Sequence, residues 1–239
     1  MERNEIGQRL GKLVLDWTPP PRPARAPLEG RLARVEPLDA EVHAAALFDA
    51  YTHDATGANW TYLPYGPYPD LSAYRAWVEA VAGRSDPMFF TVIERASQRA
   101  MGVASYLRID PENGSIEVGH IHFSPLLQRN PAGTEALYLM MRQAFELGYR
   151  RFEWKCNALN ERSRHAAQRL GLSYEGVFRH ATIAKGRNRD TAWYAAVDSE
   201  WPRLQAAYDT WLAAENFDDD GRQRVALSAL TDPILVARG

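Results

Sequence analysis

The feature that most constrains this chain is a helix signal set between two strand signals. Asn130-Pro131 opens the helix, which runs to about Leu147 and is stopped at Gly148. Strand-like segments Ser115–Ser124 and Phe152–Cys156 stand on either side. The connection into the helix reads Gln128-Arg129-Asn130-Pro131-Ala132-Gly133-Thr134-Glu135. A strand–loop–helix junction presents unpaired amide N–H groups at the positive end of the helix dipole, which is a place for a phosphate or pyrophosphate. Gly133 has no side chain, so a ligand is expected to approach the backbone closely there.

The surrounding pattern extends this unit into a layered domain. Arg31–Val35 alternates like a strand and Pro37 ends it. Asp39 reads as the N-cap of a helix over Ala40–Tyr51, and Ser72–Val81 as a second helix. Phe89–Glu94 and Gly102–Leu107 are strand-like around a turn at Ala96–Arg99, and Asp110–Gly114 is a second turn. Glu161–Leu170 is a helix capped by Gly171. Val177–Ala184 and Thr191–Val197 form a hairpin around Gly186-Arg187-Asn188, and Pro202 starts a helix over Leu204–Ala214. A strand-rich middle with inserted helices predicts an α/β (mixed α+β) domain. Residues 1–27, with Thr18-Pro19-Pro20-Pro21-Arg22-Pro23, are expected to be an extended arm, residues 28–201 the domain, and 202–239 a C-terminal helix and tail.

Composition narrows the function classes. A net charge of -2 with both signs interspersed argues against a nucleic-acid binder that relies on a strong global field. One cysteine, Cys156, excludes an intramolecular disulfide, and no run approaches the roughly 20 apolar residues that cross a bilayer. The expectation is a cytoplasmic protein with neither a nucleic-acid nor a membrane partner. No His, Cys or carboxylate cluster has metal-ligand spacing, so no metal is expected.

A second junction follows the first. Asn157-Ala158-Leu159-Asn160-Glu161-Arg162-Ser163 leaves a strand and begins a helix, which closes with Arg169-Leu170-Gly171-Leu172 and then Tyr174-Glu175-Gly176. Here the chain resembles the GNAT acetyltransferases, especially the branch of ribosomal-protein N-terminal acetyltransferases. The family's phosphate loop, Gln/Arg-x-x-Gly-x-Gly/Ala, often followed by Thr-Glu-Ala, is met by Gln128, Gly133 and Thr134-Glu135-Ala136. Its later pattern is met by Asn160, Ser163, Leu170-Gly171-Leu172 and Glu175-Gly176, so the resemblance covers about residues 28–201. It implies a central twisted, mostly antiparallel sheet with helices on both faces, and acetyl transfer from acetyl-CoA to a primary amine by direct attack in a ternary complex. Homodimers are common in the family. Two positions depart from the pattern. Pro131 stands where the loop's first glycine is expected, and Ala167 where many relatives carry a tyrosine as general acid. These departures motivate a rival reading, a CoA-binding or protein-interaction module without turnover.

The resemblance assigns coenzyme contacts to Gln128, Arg129, Asn130, Ala132, Gly133, Thr134, Asn157, Asn160 and Ser163. Helix capping is the competing role for Asn160, and Ser163 either protonates the leaving thiolate or binds the pantetheine through water. Glu117, His120 and His122 lie on the strand before the loop, where a general base is expected, with Glu117 the first choice. Side-chain alternation puts Glu117 and His120 on opposite faces unless a bulge intervenes. The loop carrying Trp60, Tyr62, Tyr65 and Tyr68 is either an acceptor pocket or a hydrophobic cluster of its own.

Overall fold

A computed structural model describes residues 2–239. Its centre is an eight-stranded sheet in the order β1-β2-β3-β4-β5-β6-β8-β7. The strands are β1 (Leu28–Glu29), β2 (Ala33–Pro37), β3 (Met88–Glu94), β4 (Arg99–Asp110), β5 (Ser115–Phe123), β6 (Arg151–Asn157), β7 (Ser173–Ala184) and β8 (Arg187–Val197). Every neighbouring pair is antiparallel except β5 and β6, which run parallel. A parallel pair needs a crossover, and α3 (Pro131–Glu146) supplies it.

Helices cover both faces, as the resemblance implies. On one face α1 (Ala40–Thr52) and α2 (Leu71–Ala82) bury Leu47, Tyr51, Tyr74 and Val78 against Phe89 and Val103. On the other, α3, α4 (Glu161–Arg169) and α5 (Trp201–Leu212) close over Phe90, Tyr106, Ile116, Val118, Phe152 and Tyr194. The caps follow local chemistry: Asp39 accepts the Glu41 and Val42 N–H groups, and Asp70 accepts that of Ala73.

Several strands run longer than predicted, among them β4, β7 and β8, α5 spans Trp201–Leu212, and two further boundaries move for a local reason. The strand expected over Arg31–Val35 begins at Ala33, because the buried Glu135 carboxylate on α3 takes the N–H groups of Arg31, Leu32 and Ala33. Charge-assisted bonds of this kind contribute about 1.5–3 kcal/mol each, enough to outweigh a ladder bond at a strand end. The hairpin turn is Lys185-Gly186, not Gly186-Arg187-Asn188, since Ala184 already pairs with Arg187 and Ile183 with Asn188. Both turn residues are left-handed, at φ 49° and 71°, the geometry that suits the twist of a two-residue hairpin.

The ends of the chain pack against the domain. Residues 18–27 run extended with Pro20 and Pro23 buried, and the Trp17 indole donates to the Glu112 carbonyl at 3.0 Å. Residues past 201 complete the second core, with Leu204, Tyr208 and Trp211 buried and Tyr208 stacked on Tyr138 at 4.6 Å. The last residues return to the sheet, where the Tyr174 N–H donates to the Ala237 carbonyl.

Candidate active site

The sheet opens at its only parallel joint among the described residues. β5 and β6 pair from Ser115 with Arg151 to Val118 with Trp154, and there the ladder stops. β5 continues to Phe123 and β6 to Asn157, so beyond Val118 the facing edges have no strand partner. Unpaired backbone N–H and C=O groups in the middle of a sheet need other partners, and a ligand with amide groups fits that gap.

A bulge shapes one wall of the gap. Val103 and Ser105 on β4 pair with His122 and Gly119, which leaves one extra residue on β5, and His120 there has φ 50°. The bulge cancels the alternation, so Glu117, His120 and His122 all face the α1/α2 side. The Glu117 carboxylate lies between Arg108, at 2.7 Å, and Lys155, at 2.9 Å. Burial raises its pKa, and the two cations oppose that rise. Lys155 also bonds Glu153 at 2.7 Å and sits 3.8 Å from the centre of the Trp193 ring. Glu117, the first-choice base, is therefore held in an ion-paired network.

The two histidines differ. His122 is buried, stacked on Tyr51 at 4.0 Å and packed on Trp60 at 3.8 Å, and its Nε2 has no partner. Burial lowers its pKa to about 3. His120 is half-buried at the gap, with Nδ1 3.1 Å from the Tyr65 hydroxyl. Burial, then the positive charges of Arg108, Arg189 and Arg84, lower its pKa to about 4, so it is neutral at pH 7.

Two helix N-termini flank the gap. At α3 the Asn130 carboxamide accepts the Ala132 N–H at 2.9 Å and the Asn130 carbonyl accepts that of Gly133 at 3.1 Å. The Gly133 amide expected to face an anion is thus engaged by the loop itself. A Cβ at Gly133 would meet the Leu127 carbonyl and the Phe123 ring at 3.2 Å, so this glycine lets the loop close on the helix. The Thr134 hydroxyl is buried and accepts from Arg169 at 2.8 Å. Gln128 and Arg129 are the exposed members, and Arg129 has no ion pair or side-chain hydrogen bond among the described residues. At α4 the Asn160 side chain caps the Ser163 N–H at 3.2 Å, and that of Asn157 accepts the Leu159 N–H at 2.9 Å. Ser163 Oγ accepts from the Trp154 indole at 3.0 Å and lies at the Cys156 thiol.

The aromatic loop roofs this arrangement. Trp60 is buried among Tyr51, Tyr65 and Tyr68, while Tyr65 packs on Trp77 at 4.8 Å. Four contacts tie the roof down around the gap. Gln128 donates to Asn59 at 2.9 Å, Tyr62 to the Leu159 carbonyl at 3.1 Å, and Lys185 to the carbonyls of Trp60, at 2.8 Å, and Gly66, at 3.0 Å. The loop is both the satellite cluster and the cover of the gap. Sequence reasoning missed Arg108, Lys155, Trp193 and Lys185. Of these only Lys155 carried a usable signal, since Glu153 and Lys155 at a spacing of two share one strand face.

A sheet parted at one parallel joint, a helix N-terminus on each side of the opening and a roofed strand wall define a class, the acyltransferases that receive an extended acyl-coenzyme between two strands. The chain belongs to the GNAT acetyltransferase family: the family model described as acetyltransferase (GNAT) domain matches residues 33–173. The acyl donor of that family is acetyl-CoA. A GCN5-related N-acetyltransferase from Brucella melitensis is 45% identical, with 92% of this chain and 100% of that chain covered and a TM-score of 0.89. A protein described as a probable acetyltransferase of the GNAT family, from Chromobacterium violaceum, is 37% identical over 82% of this chain and 98% of that one, with a TM-score of 0.75. The ribosomal L7/L12 alpha-N-protein acetyltransferase RimL is 20% identical with a TM-score of 0.61 over 72% of this chain and 93% of its own, a likeness of fold. No curated protein matches the chain. No helix among the described residues is long and apolar enough to cross a membrane.

Proposed function

We propose that the protein acetylates a primary amine that enters on the α1/α2 side of the gap and attacks acetyl-CoA directly, in a ternary complex. The observation that carries this reading is the end of the β5–β6 ladder at Val118 and Trp154, with His120 turned into the opening by the bulge. Arg129 and Gln128 at the start of α3 suit the coenzyme's phosphates, and Asn157 and the open strand edges suit its amide groups.

The chemistry asks for a free amine lone pair, a place for one proton and an exit for the thiolate. In this reading the amine nitrogen bonds to the thioester carbonyl carbon, the carbon–sulfur bond breaks, and the proton leaves the nitrogen toward His120 Nε2. Nδ1 is held by Tyr65, and when its hydrogen is donated to that hydroxyl Nε2 keeps a free lone pair. A histidine with a pKa of about 4 takes little from a free ammonium ion. It suits the far more acidic nitrogen formed after attack, so the amine binds unprotonated. Ser163, near the start of α4, serves the departing sulfur. Glu117 keeps Arg108 and Lys155 in place and positions the wall.

The test is isothermal titration with acetyl-CoA, followed by thiol release with a panel of amines. Micromolar binding is expected, with Arg129→Met weakening it about tenfold, or ~1.4 kcal/mol. Turnover should rise with pH up to the pKa of the amine itself, with no separate step near pH 6.5. Binding without thiol release from any amine would return the protein to the rival reading of a coenzyme-binding module.

A further inference from the structure

One group on the open face is not absorbed by this reading. On β8 the residues Arg189, Thr191 and Trp193 point to the same side as Lys155 and Asn157, because Lys155 pairs with Trp193 and Asn157 with Thr191. That side is continuous with Glu117 through Lys155. The cations there are unequally matched. Lys155 is held by Glu117 and Glu153, and Arg108 by Glu117. Arg189 has neither an ion pair nor a hydrogen bond among the described residues, and its Nε is enclosed without a partner.

A second donor on the same strand face, four residues along β8, has the same fate. The Trp193 indole N–H is also buried and unpartnered. Its ring is fixed by Phe178 at 4.4 Å and by the Lys155 ammonium at 3.8 Å. An enclosed donor without an acceptor is destabilising, and two on one strand face ask for an acceptor that the protein does not supply. An anion meets both needs, and a planar carboxylate fits the guanidinium fork.

Resting on the reading that an amine is acetylated at this gap, we infer that the acceptor is an amine carrying a free carboxylate, of the amino-acid class, held by Arg189 with the Trp193 N–H. The carboxylate neutralises the one uncompensated cation of the face, and the amine reaches toward His120. The same positive field turns away polycationic amines. Phe178 and Trp193 give the carbon skeleton an apolar wall.

The experiment compares matched amines in the thiol-release assay: the protein L-amino acids, and for those acetylated, the corresponding amino-acid amides and decarboxylated amines. The expected result is a KM at least tenfold lower for the acid than for its amide. Arg189→Met should remove that preference by raising the KM of the acid to that of its amide, and Arg189→Lys should restore part of it. Trp193→Phe keeps the ring packing and should weaken the preference alone, with melting curves of all variants recorded beside the kinetics. Equal use of acid, amide and decarboxylated amine, or an equal loss on all three in Arg189→Met, would overturn the inference. If no amine releases thiol, the reading of amine acetylation fails separately. Titration of the CoA-loaded protein with N-acetyl-L-phenylalanine and N-acetyl-L-alanine, and with their amides, then decides the anion site. Binding of the acids that Arg189→Met abolishes upholds the site, and no binding to the unaltered protein rejects it.

Discussion

His122 shows how much one buried ring decides. Its Nε2 has no partner, and its ring is wedged between Tyr51 and Trp60, so its pKa falls from 6.5 to about 3. The unfolded chain takes up a proton near pH 6.5 that the folded chain refuses until about pH 3. Stability therefore falls as pH drops through that window, by up to about 1.4 kcal/mol per pH unit for this one proton. His122→Phe keeps a ring in the stack and removes the proton. Urea unfolding at pH 6.5 and 5.0 should show the unaltered protein losing about 2 kcal/mol more than the variant. Equal losses would mean that other groups carry the acid sensitivity. The sequence pointed to Glu117, His120 and His122, but their partners were hidden. Arg108, Lys155 and Tyr65 come from three other segments, and no local pattern says which carboxylate meets which cation.

At the scale of elements the bulge and the roof matter most. Strand alternation, read from sequence, set Glu117 and His120 on opposite faces, and one extra residue at φ 50° reversed that. The left-handed residue of this bulge is His120 and not Gly119 beside it, so the bulge depends on how β4 and β5 pair. The helix starts were legible for the opposite reason. Asn130-Pro131, Asp39 and Asn160 bind amides within three residues of themselves, which is a local matter. The roof is tied to the β7–β8 turn by Lys185, whose two bonds to carbonyls contribute about 1 kcal/mol each. Lys185→Met should speed amide exchange across residues 58–68 by roughly tenfold or more and raise the acceptor KM a few-fold. Acetyl-CoA affinity and the melting temperature should stay nearly unchanged. Hydrogen exchange read by mass spectrometry checks this, and unaltered exchange would mean that the aromatic packing alone holds the roof.

For the whole molecule, the two ends of the chain have unequal weight. Leu204, Tyr208 and Trp211 are buried against α3, and burial of such side chains contributes about 2 kcal/mol each. Together that is comparable to the roughly 5–15 kcal/mol by which a domain is stable. A chain ending at residue 200 should fail to give a cooperative melt. Removal of residues 2–15 should shift the midpoint by no more than about 2 °C, since Ile6, Leu13 and Leu15 are 79%, 66% and 76% exposed. Circular dichroism melts of the two truncations test both statements. By itself the sequence determined the order of the longer strands and helices, though not the two-residue β1 or the short helix at Leu227–Thr231, together with the helix caps and the two junctions that carry the family pattern. Those rest on hydrogen bonds and apolar spacing within a few residues. Only the tertiary structure decided that the sheet opens after Val118, that His120 turns into the opening, and that Arg189 is left without a counter-ion. Each depends on segments far apart in the chain meeting at one place, where burial and unpaired charge set the chemistry.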